Sequence, residues 1–582
     1  MQEEKLSYYI KKAKIHDTTL PEKKIRIAII SSFTLIGLED TIKVKCHDKK
    51  IESIIYLAPY NQYNQEILES KSKLYQFSPD ISFLFIDSRN VLGELFFVPY
   101  SISEEERRKF IQNKANEIVN LIKTFVSNSE SKLIISNFAS PTFSSYGVYE
   151  SKTIYGFHEM LSDLNTRLTN YVKNEASVYV YDFNSFIAKY GEKNVFDYRQ
   201  YFYGDVKVSL NYIPYLATEL LGYIKPQLGF SKKCIVLDLD NTLWGGVVGE
   251  DGFNGIKLGN DPIGRSYVEF QKHLLSLRQR GIILAINSKN NFDDAMKVIR
   301  DHPYMVLREK HFACYKINWN DKTTNFKEIA EELNIGLESM VFFDDSPVNR
   351  EYIRMNIPEI LVVDLPNDPS LYVPTLLAIN DFNVLQITEE DKKRNEMYLQ
   401  QKQREELKKG ATNIQDFLKH LDIKIKIKKA DEFTGPRISQ LTLKTNQFNL
   451  TTQRYQQEDI RKFSKDPKKI VGCAQVEDKF GDNGITGVYI INKDKDEWII
   501  DTFLLSCRVI GRGVEDGMLY HILQQAQSEG IKKIKGKYIP TKKNKPIEDF
   551  LPEYGFKKEG DWWVYYIPNM IKKPDYLKVT TE

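Results

Sequence analysis

One apolar segment that ends in acidic residues constrains the fold of this chain more than any other feature. Residues 235–237 and Leu239 predict a buried strand of a parallel sheet. Asp238, Asp240 and Thr242 occupy its carboxyl end, which is the edge where open α/β sheets bind ligands. Carboxylates so close together are costly to bury unless a cation joins them, and Mg²⁺ prefers hard oxygen ligands. The segment therefore predicts a magnesium site at the edge of a parallel sheet.

Two further apolar runs end in polar residues in the same way. One leads into Ser288 and the other into the pair Asp344 and Asp345, with Lys322 between them at the start of a helix-like segment. Together with the earlier Asp-x-Asp-x-Thr pattern, this order resembles the four motifs of the haloacid dehalogenase superfamily, mostly phosphatases and phosphotransferases. The alternative is a plain Rossmann-like sheet whose strands happen to end in acidic residues.

Three longer motifs narrow the resemblance to one family. Leu243-Trp-Gly-Gly-Val-Val-Gly-Glu-Asp-Gly252 continues the first motif. Lys444-Thr-Asn-Gln-Phe-Asn-Leu-Thr-Thr452 and Ser506-Cys-Arg-Val-Ile-Gly-Arg512 follow downstream. In this order they make nearly the whole chain similar to the FkbH-like family, the glyceryl transferase/phosphatases that load carrier proteins.

The amino-acid composition indicates which kinds of binding partner and which cellular compartment to expect for this chain. The 582 residues carry 82 basic and 79 acidic side chains, and this near balance gives no sign of a nucleic-acid partner. The five cysteines are scattered without Cys-x-x-Cys pairs, which favours a reducing compartment over disulfides or structural zinc. The N-terminus lacks the apolar region of a signal peptide, and no apolar run is long enough to span a bilayer. We therefore expect a cytoplasmic protein with no membrane partner.

The first of several expected domains is residues 1–228. Strand-like runs alternate with helical segments, such as 103–127, where Ser103 and Glu106 form a capping box, and this alternation predicts a parallel sheet. The resemblance implies an SGNH-hydrolase-like fold, in which Ser31 or Ser32 would be the nucleophile. The region 205–212, where a histidine base is expected, contains none, so the serine would not be activated. We expect a non-catalytic docking or scaffolding domain.

Residues 229–375 form the predicted haloacid dehalogenase-like domain. The short intervals between its motifs leave no room for a large cap, so its site is expected to be open. Residues 376–412 predict a connecting helix, because Thr388 and Asp391 resemble a capping box and Gly410 suits a helix end.

The last predicted domain, residues 413–582, is α+β and resembles the GNAT acyltransferases. After a strand-like run, Arg508, Gly511 and Gly513 form an Arg-x-x-Gly-x-Gly loop that opens a helix, and such a loop binds phosphate with its amides. Cys507 lies between the strand and this loop, near Arg508 and Arg512, where a thiol would readily form the reactive thiolate. A buried, inert cysteine is the alternative.

Amide side chains form a second group of candidate binding residues in this domain. Asn446, Gln447 and Asn449 are able to hydrogen-bond a pantetheine arm or a glyceryl hydroxyl, although they equally suit a capped turn.

The resemblance implies a reaction with two chemistries. The donor is 1,3-bisphosphoglycerate, the acceptor is the phosphopantetheine thiol of an acyl carrier protein in polyketide or related biosynthesis, and Cys507 is the expected intermediate thiol. In the phosphatase half, Asp238 is the nucleophile and Asp240 the acid–base group. The expected metal ligands are Asp238, Asp344 and the main-chain carbonyl of Asp240. The residues expected to hold the phosphoryl oxygens are Thr242, Ser288 and Lys322.

One departure from the family pattern and two alternatives remain. Asn349 stands where the family's fourth motif usually has glutamate, which alters the surroundings of the metal site but keeps its carboxylates.

The chain could instead be a stand-alone small-molecule phosphatase with a partner-binding C-terminal domain. It could also be a CoA-dependent N-acyltransferase with an inert dehalogenase-like domain.

Overall fold

The computed structural model describes residues 5–582 apart from 16–20, 22, 395–396, 399, 402–403, 405–406, 408–412, 542 and 568–570. The chain divides into two compact units, Met1–Leu228 and Gly229–Glu582. Each unit is α/β, and parallel sheets dominate both the first unit and the first half of the second. No helix of the described residues is long and apolar enough to cross a membrane.

The first unit contains a five-stranded parallel sheet in the order β2-β1-β3-β4-β5. The strands are β1 (Lys23–Ser31), β2 (Ile51–Leu57), β3 (Ile81–Phe85), β4 (Lys132–Ser136) and β5 (Val178–Tyr181). The helices are α1 (Leu6–Lys12), α2 (Leu38–His47), α3 (Tyr63–Leu68), α4 (Lys73–Phe77), α5 (Ser88–Leu92), α6 (Glu104–Asn128), α7 (Phe157–Val172), α8 (Phe183–Tyr190), α9 (Glu192–Val195), α10 (Tyr198–Gly204) and α11 (Ile213–Gln227). The capping box at Ser103 is confirmed at the start of α6.

The first half of the second unit contains another five-stranded parallel sheet, in the order β10-β9-β6-β7-β8. Its strands are β6 (Cys234–Leu237), β7 (Ile283–Ser288), β8 (Cys314–Ile317), β9 (Met340–Phe343) and β10 (Leu361–Val362). The helices are α12 (Val248–Asp251), α13 (Pro262–Gln279), α14 (Phe292–Asp301), α15 (Lys322–Leu333), α16 (Pro347–Asn356), α17 (Tyr372–Leu377) and α18 (Glu389–Lys392). The strand order reverses between β6 and β9, and ligands of open α/β sheets bind at such a point.

The predicted connecting segment is only partly described. The capping box of Thr388 and Asp391 is confirmed at the start of α18. The predicted end of this helix at Gly410 lies outside the described residues.

The second half of this unit is built on a largely antiparallel sheet, in the order β17-β18-β16-β15-β14-β13-β11-β19, with β12 also paired to β15. Its strands are β11 (Lys424–Lys429), β12 (Phe448–Asn449), β13 (Lys469–Asp478), β14 (Gly481–Lys493), β15 (Glu497–Leu505), β16 (Lys533–Gly536), β17 (Lys557–Glu559), β18 (Trp562–Tyr566) and β19 (Lys578–Thr581). The helices are α19 (Ile414–Leu421), α20 (Gly435–Lys444), α21 (Gln457–Lys465), α22 (Val514–Ser528) and α23 (Phe550–Glu553). A loop at 506–513 joins β15 to α22, which returns the chain to the parallel strand β16.

Candidate active site

Three carboxylates converge where β6 and β9 end. Leu237 pairs with Phe343 in the parallel register, so the next residue of each strand, Asp238 and Asp344, lies beside the other. Oxygen atoms of Asp238, Asp344 and Asp345 lie within 4.8 Å of one another. Three hard oxygen donors at this spacing suit Mg²⁺. Asp345, for which no role was predicted, thus joins the cluster.

Lys322 is the cation that holds this cluster together in the protein alone. Its Nζ lies 2.6 Å from an oxygen of Asp344 and 3.1 Å from one of Asp238, at the N-terminus of α15. Burial opposes the charge of this ammonium, but the two carboxylates outweigh it and raise the pKa of Lys322. Burial, together with the charges of its two acidic neighbours, raises the pKa of Asp345 to about 6. A site with this much negative charge favours a divalent cation.

Asp240 is placed apart from the three clustered carboxylates. One of its oxygens accepts hydrogen bonds from Trp244 Nε1 at 2.8 Å and from the Val248 amide at 3.1 Å, and the other accepts from Asn290 Nδ2 at 2.8 Å. Burial raises the pKa of its carboxyl group, as a proton donor to a leaving group requires. Asn290 has no counterpart among the sequence predictions.

The glycine-rich segment after Asp240 folds back beside the site. Gly246 has a φ of +93°, and a Cβ added there would lie 2.4 Å from an Asp251 oxygen, so this position requires glycine. The turn brings the Val248 amide onto Asp240. The segment therefore positions the expected acid–base group.

Other predicted residues surround the cluster. Ser288 is buried at the end of β7, beside β6, and Thr242 is fully buried with no hydrogen-bond partner for its Oγ1 among the described residues. Asn349 donates to both oxygens of Asp344 at 3.2 Å, so the amide that replaces the family's glutamate touches the metal-site carboxylate directly. Arg350 Nη1 fixes the same turn through the main-chain oxygens of Asp344 and Asp345, at 2.8 and 2.6 Å.

Cys507 lies in the same unit, beside the residue that follows α15. Its Sγ donates to the main-chain oxygen of Asn334 at 2.9 Å, and Asn334 Nδ2 donates back to the Cys507 oxygen. Among the described residues the other four cysteines are buried, whereas Cys507 is partly exposed. It is therefore the accessible thiol of the described chain.

Arg512 and Glu515 show how charged side chains at and after the loop 506–513 are placed. Arg512 pairs with Asp478 at 3.3 Å, and Arg404 also binds Asp478 through two hydrogen bonds of 2.7 and 2.8 Å. Glu515 lies in the first turn of α22, and burial raises the pKa of its carboxyl group to about 7. Gly513 lies close to Tyr576 and has a φ of +78°.

The amide cluster mainly stabilises its own turn. Asn449 is fully buried, and its side chain accepts from the Thr452 amide at 2.9 Å and donates to the Thr445 oxygen at 3.3 Å. Asn446 accepts a hydrogen bond from Arg454. Gln447 is exposed, so of the three it is the side chain best placed to contact a ligand.

The lengths of one helix and one strand indicate that the thiol and the carboxylates lie at opposite edges of one sheet. Lys322 begins α15 beside Asp238, and Asn334 follows the end of the same helix beside Cys507. Twelve helical residues span about 18 Å. Along the adjacent strand, the five steps from Lys233 to Asp238 span about 16 Å.

Ser31 and Ser32, the two candidate nucleophiles of the first unit, have no histidine base beside them among the described residues. Ser32 is fully buried, accepts a hydrogen bond from the Asp87 amide at 2.8 Å and donates to Asn90 at 3.3 Å. Ser31 accepts from the Phe33 amide. In the segment where a histidine base was expected, Lys207 is buried and pairs with Asp87 at 2.6 Å.

Comparisons with known proteins match the chain to one family model and to several solved structures. The family described as FkbH, N-terminal domain, matches residues 26–225. The N-terminal part of the protein BF1531 from Bacteroides fragilis, which contains a phosphatase domain complexed with Mg, is 30% identical with a TM-score of 0.61, covering 66% of this chain and 100% of that one. No curated protein matches the chain.

Two GNAT structures match a smaller part of the chain. The ribosomal-protein-S18-alanine N-acetyltransferase from Escherichia coli is 10% identical over 26% of this chain and 97% of that one, with a TM-score of 0.21. An acetyltransferase of the GNAT family from Staphylococcus aureus is 12% identical over 25% of this chain and 99% of that one, with a TM-score of 0.20. Similarity at this level says nothing about activity.

Proposed function

Because the chain belongs to the FkbH-like family, with a phosphatase domain in its second unit, we propose that it loads a glyceryl group from 1,3-bisphosphoglycerate onto an acyl carrier protein and removes the 3-phosphate. The observation that carries the proposal is the presence, in one compact unit, of an accessible thiol and a separate carboxylate cluster. Acyl transfer and phosphate removal then have one site each. The product serves polyketide or related biosynthesis in the cytoplasm.

The transfer step uses the Cys507 sulfur. The sulfur attacks the acyl carbon of the donor, a carbon–sulfur bond forms, and the bond from that carbon to the phosphate oxygen breaks. Inorganic phosphate leaves with the electron pair and carries away the thiol proton. A second exchange moves the acyl group from Cys507 to the thiol of the carrier's phosphopantetheine arm, which regenerates the cysteine.

The phosphatase step uses the carboxylates at the other edge of the sheet. Asp238 attacks the phosphorus and forms an aspartyl-phosphate, while Asp240 protonates the leaving oxygen and then takes a proton from water. In this proposal Lys322 and Ser288 hold phosphoryl oxygens. Asp238, Asp344 and the Asp240 carbonyl would hold Mg²⁺, which suits the converging carboxylates and would neutralise phosphoryl charge.

Two observations support this assignment over the alternatives. Glu515, a buried carboxyl group, occupies the first turn of α22, and an acidic group there disfavours CoA pyrophosphate in the loop and hence a CoA-dependent N-acyltransferase. The intact carboxylate cluster disfavours an inert dehalogenase-like domain. In the SGNH-like first unit, the buried Ser32 supports a docking role rather than catalysis.

Intact-mass spectrometry tests the proposal. After addition of 1,3-bisphosphoglycerate, the protein should gain a phosphoglyceryl or glyceryl adduct that hydroxylamine removes, and a carrier protein should accept the group. Cys507→Ser should lose both the adduct and carrier loading, yet still release phosphate from a carrier that already bears a phosphoglyceryl thioester. Carrier loading by Cys507→Ser at the wild-type rate would mean that the pantetheine thiol attacks the donor directly. Phosphate release only from free phosphosugars, without any carrier loading, would favour the stand-alone phosphatase.

A further inference from the structure

Five basic side chains from distant parts of the second unit lie close enough to act on one another electrostatically, and two of them feel the charge of Cys507. We call them the basic cluster: Lys233, Arg394, Arg437, Lys444 and Arg508. Lys233 directly precedes β6, at the edge of the phosphatase sheet opposite Asp238, and Arg508 directly follows Cys507. The electrostatic influence of the Cys507 thiol reaches both Lys233 and Arg437. The cluster and the thiol therefore share one region.

Hydrogen bonds fix the two arginines of the cluster that come from outside the loop. Arg437 donates to the Ile485 oxygen at 3.2 Å and to Gln440, and Gln440 Nε2 donates to Asp391 at 2.6 Å. Arg394 donates to the same aspartate and to the Gly281 oxygen at 2.9 Å. The chain from Arg437 through Gln440 and Asp391 to Arg394 is a built polar network, and each guanidinium retains further N–H donors.

The two lysines lack compensating partners. Among the described residues, neither Lys233 nor Lys444 has a carboxylate within ion-pair distance or a side-chain hydrogen bond to its Nζ, although both side chains are largely enclosed. Desolvation, together with the charges of Arg394, Lys233 and Arg437, lowers the pKa of Lys444 well below its usual value. Desolvation and neighbouring arginines also lower the pKa of Lys233.

Nearby acids do not balance this charge. Asp391 is paired with Arg394, and Glu390 acts on Arg437. Glu338 acts on Lys233 but itself pairs with Lys543 at 2.5 Å. Among the described residues, the five basic side chains thus have three carboxylates near them, and one of the three is shared with Lys543 outside the cluster. Enclosed charge of one sign is costly unless an ion of the other sign neutralises it.

We propose that the basic cluster binds a phosphate group beside Cys507. The assignment rests on the proposed function, since that function supplies phosphate-bearing ligands to this thiol. The phosphate belongs either to the bisphosphorylated acyl donor or to the phosphopantetheine arm, and both offer the same dianionic chemistry. Arginine forks and lysine ammonium groups are the usual protein partners of phosphate. The phosphate would therefore bind to the basic cluster rather than to the amides of the loop that opens α22.

Binding of unreactive ligands tests the cluster. Isothermal titration calorimetry in excess EDTA, on Cys507→Ser protein, would use 2,3-bisphosphoglycerate, coenzyme A and glycerate, so that neither thioester formation nor the metal site contributes. We expect one of the two phosphate ligands to bind and glycerate not to bind. Lys444→Gln and Lys233→Gln should each weaken that binding at least tenfold. The control is Lys316→Gln, which removes a lysine already paired with Glu328 and Glu332 and should bind as the parent does.

Thermal unfolding separates binding from a structural role. Without ligand, Lys444→Gln and Lys233→Gln should melt at or above the temperature of the parent, because each removes an uncompensated charge.

Dependence of 2,3-bisphosphoglycerate binding on these lysines would assign the site to the donor, and dependence of coenzyme A binding would assign it to the arm. Unchanged affinity in both variants, or no phosphate binding by the parent, would overturn the proposal. Cluster-dependent binding without any Cys507 adduct in the wild-type protein would instead retain the cluster and refute the proposed function.

Discussion

Removal of the Lys322 ammonium should destabilise the second unit in a way that Mg²⁺ corrects. The side chain of Lys322 is 4% exposed, and its partners Asp344 and Asp238 are 0% and 12% exposed. Loss of one partner from a buried ion pair costs about 3–5 kcal/mol, because the remaining charge stays buried and unpaired. Lys322→Met should therefore lower the free energy of unfolding by this amount when no metal is present.

The same reasoning predicts the size of the recovery. A cation bound by the three carboxylates replaces the missing ammonium, and Mg²⁺ at about 100 times its dissociation constant adds about 3 kcal/mol to the folded state. Urea denaturation at pH 8, in EDTA and in excess Mg²⁺, measures both quantities. Lys316→Met is the matched control, since its partners Glu328 and Glu332 are partly exposed and such pairs contribute about 0–1 kcal/mol. A loss below about 1 kcal/mol in EDTA, or a loss that Mg²⁺ leaves unchanged, would refute the argument.

Three further outcomes follow from single residues. Asp238→Asn should retain the fold but lower phosphate release at least about 1000-fold, because an amide cannot form the acyl-phosphate; release at the wild-type rate would place the site elsewhere. Ser32→Ala should leave carrier loading within about tenfold, or 1.4 kcal/mol, of wild type, and a larger loss in a folded protein would reveal a catalytic serine. Burial raises the pKa of Glu515 from 4.5 to about 7, so the folded state keeps a proton that the unfolded state releases. Stability should then fall by about 3 kcal/mol between these pH values, and Glu515→Gln should remove this slope in denaturation curves; equal slopes in both proteins would contradict it.

The phosphatase site was accessible to sequence reasoning because it follows from strand order. Apolar runs that end in Asp238, Ser288 and Asp344 imply parallel strands whose carboxyl ends share an edge. The contact of Asn290 with Asp240 could not be derived in this way, since it depends on where a loop residue turns after β7. Asp345 lay in the quoted motif, but its convergence with the other two carboxylates depends on side-chain direction at the strand end.

The surroundings of Cys507 show that closeness in sequence does not predict which charged side chains interact. Arg512 is five residues away, yet its charge is taken by Asp478, which lies 34 residues upstream on β13. The charge of Cys507 instead acts on Lys233 and Arg437, which are far away in the chain. Long basic side chains adopt whichever partner the tertiary fold provides, so local spacing could suggest a reactive cysteine but not its neighbours.

For the proposed reaction, the position of the thiol and the carboxylates at opposite edges of the same sheet implies an order of steps. A three-carbon acyl group on Cys507 cannot extend about 18 Å, the length of α15, to bring its phosphate to Asp238. Within this arrangement the acyl group must leave the cysteine first and return on a longer tether. Transfer of the acyl group to the pantetheine arm would then precede hydrolysis of its phosphate. The carrier would have to remain bound, or bind twice, before the glyceryl thioester is released.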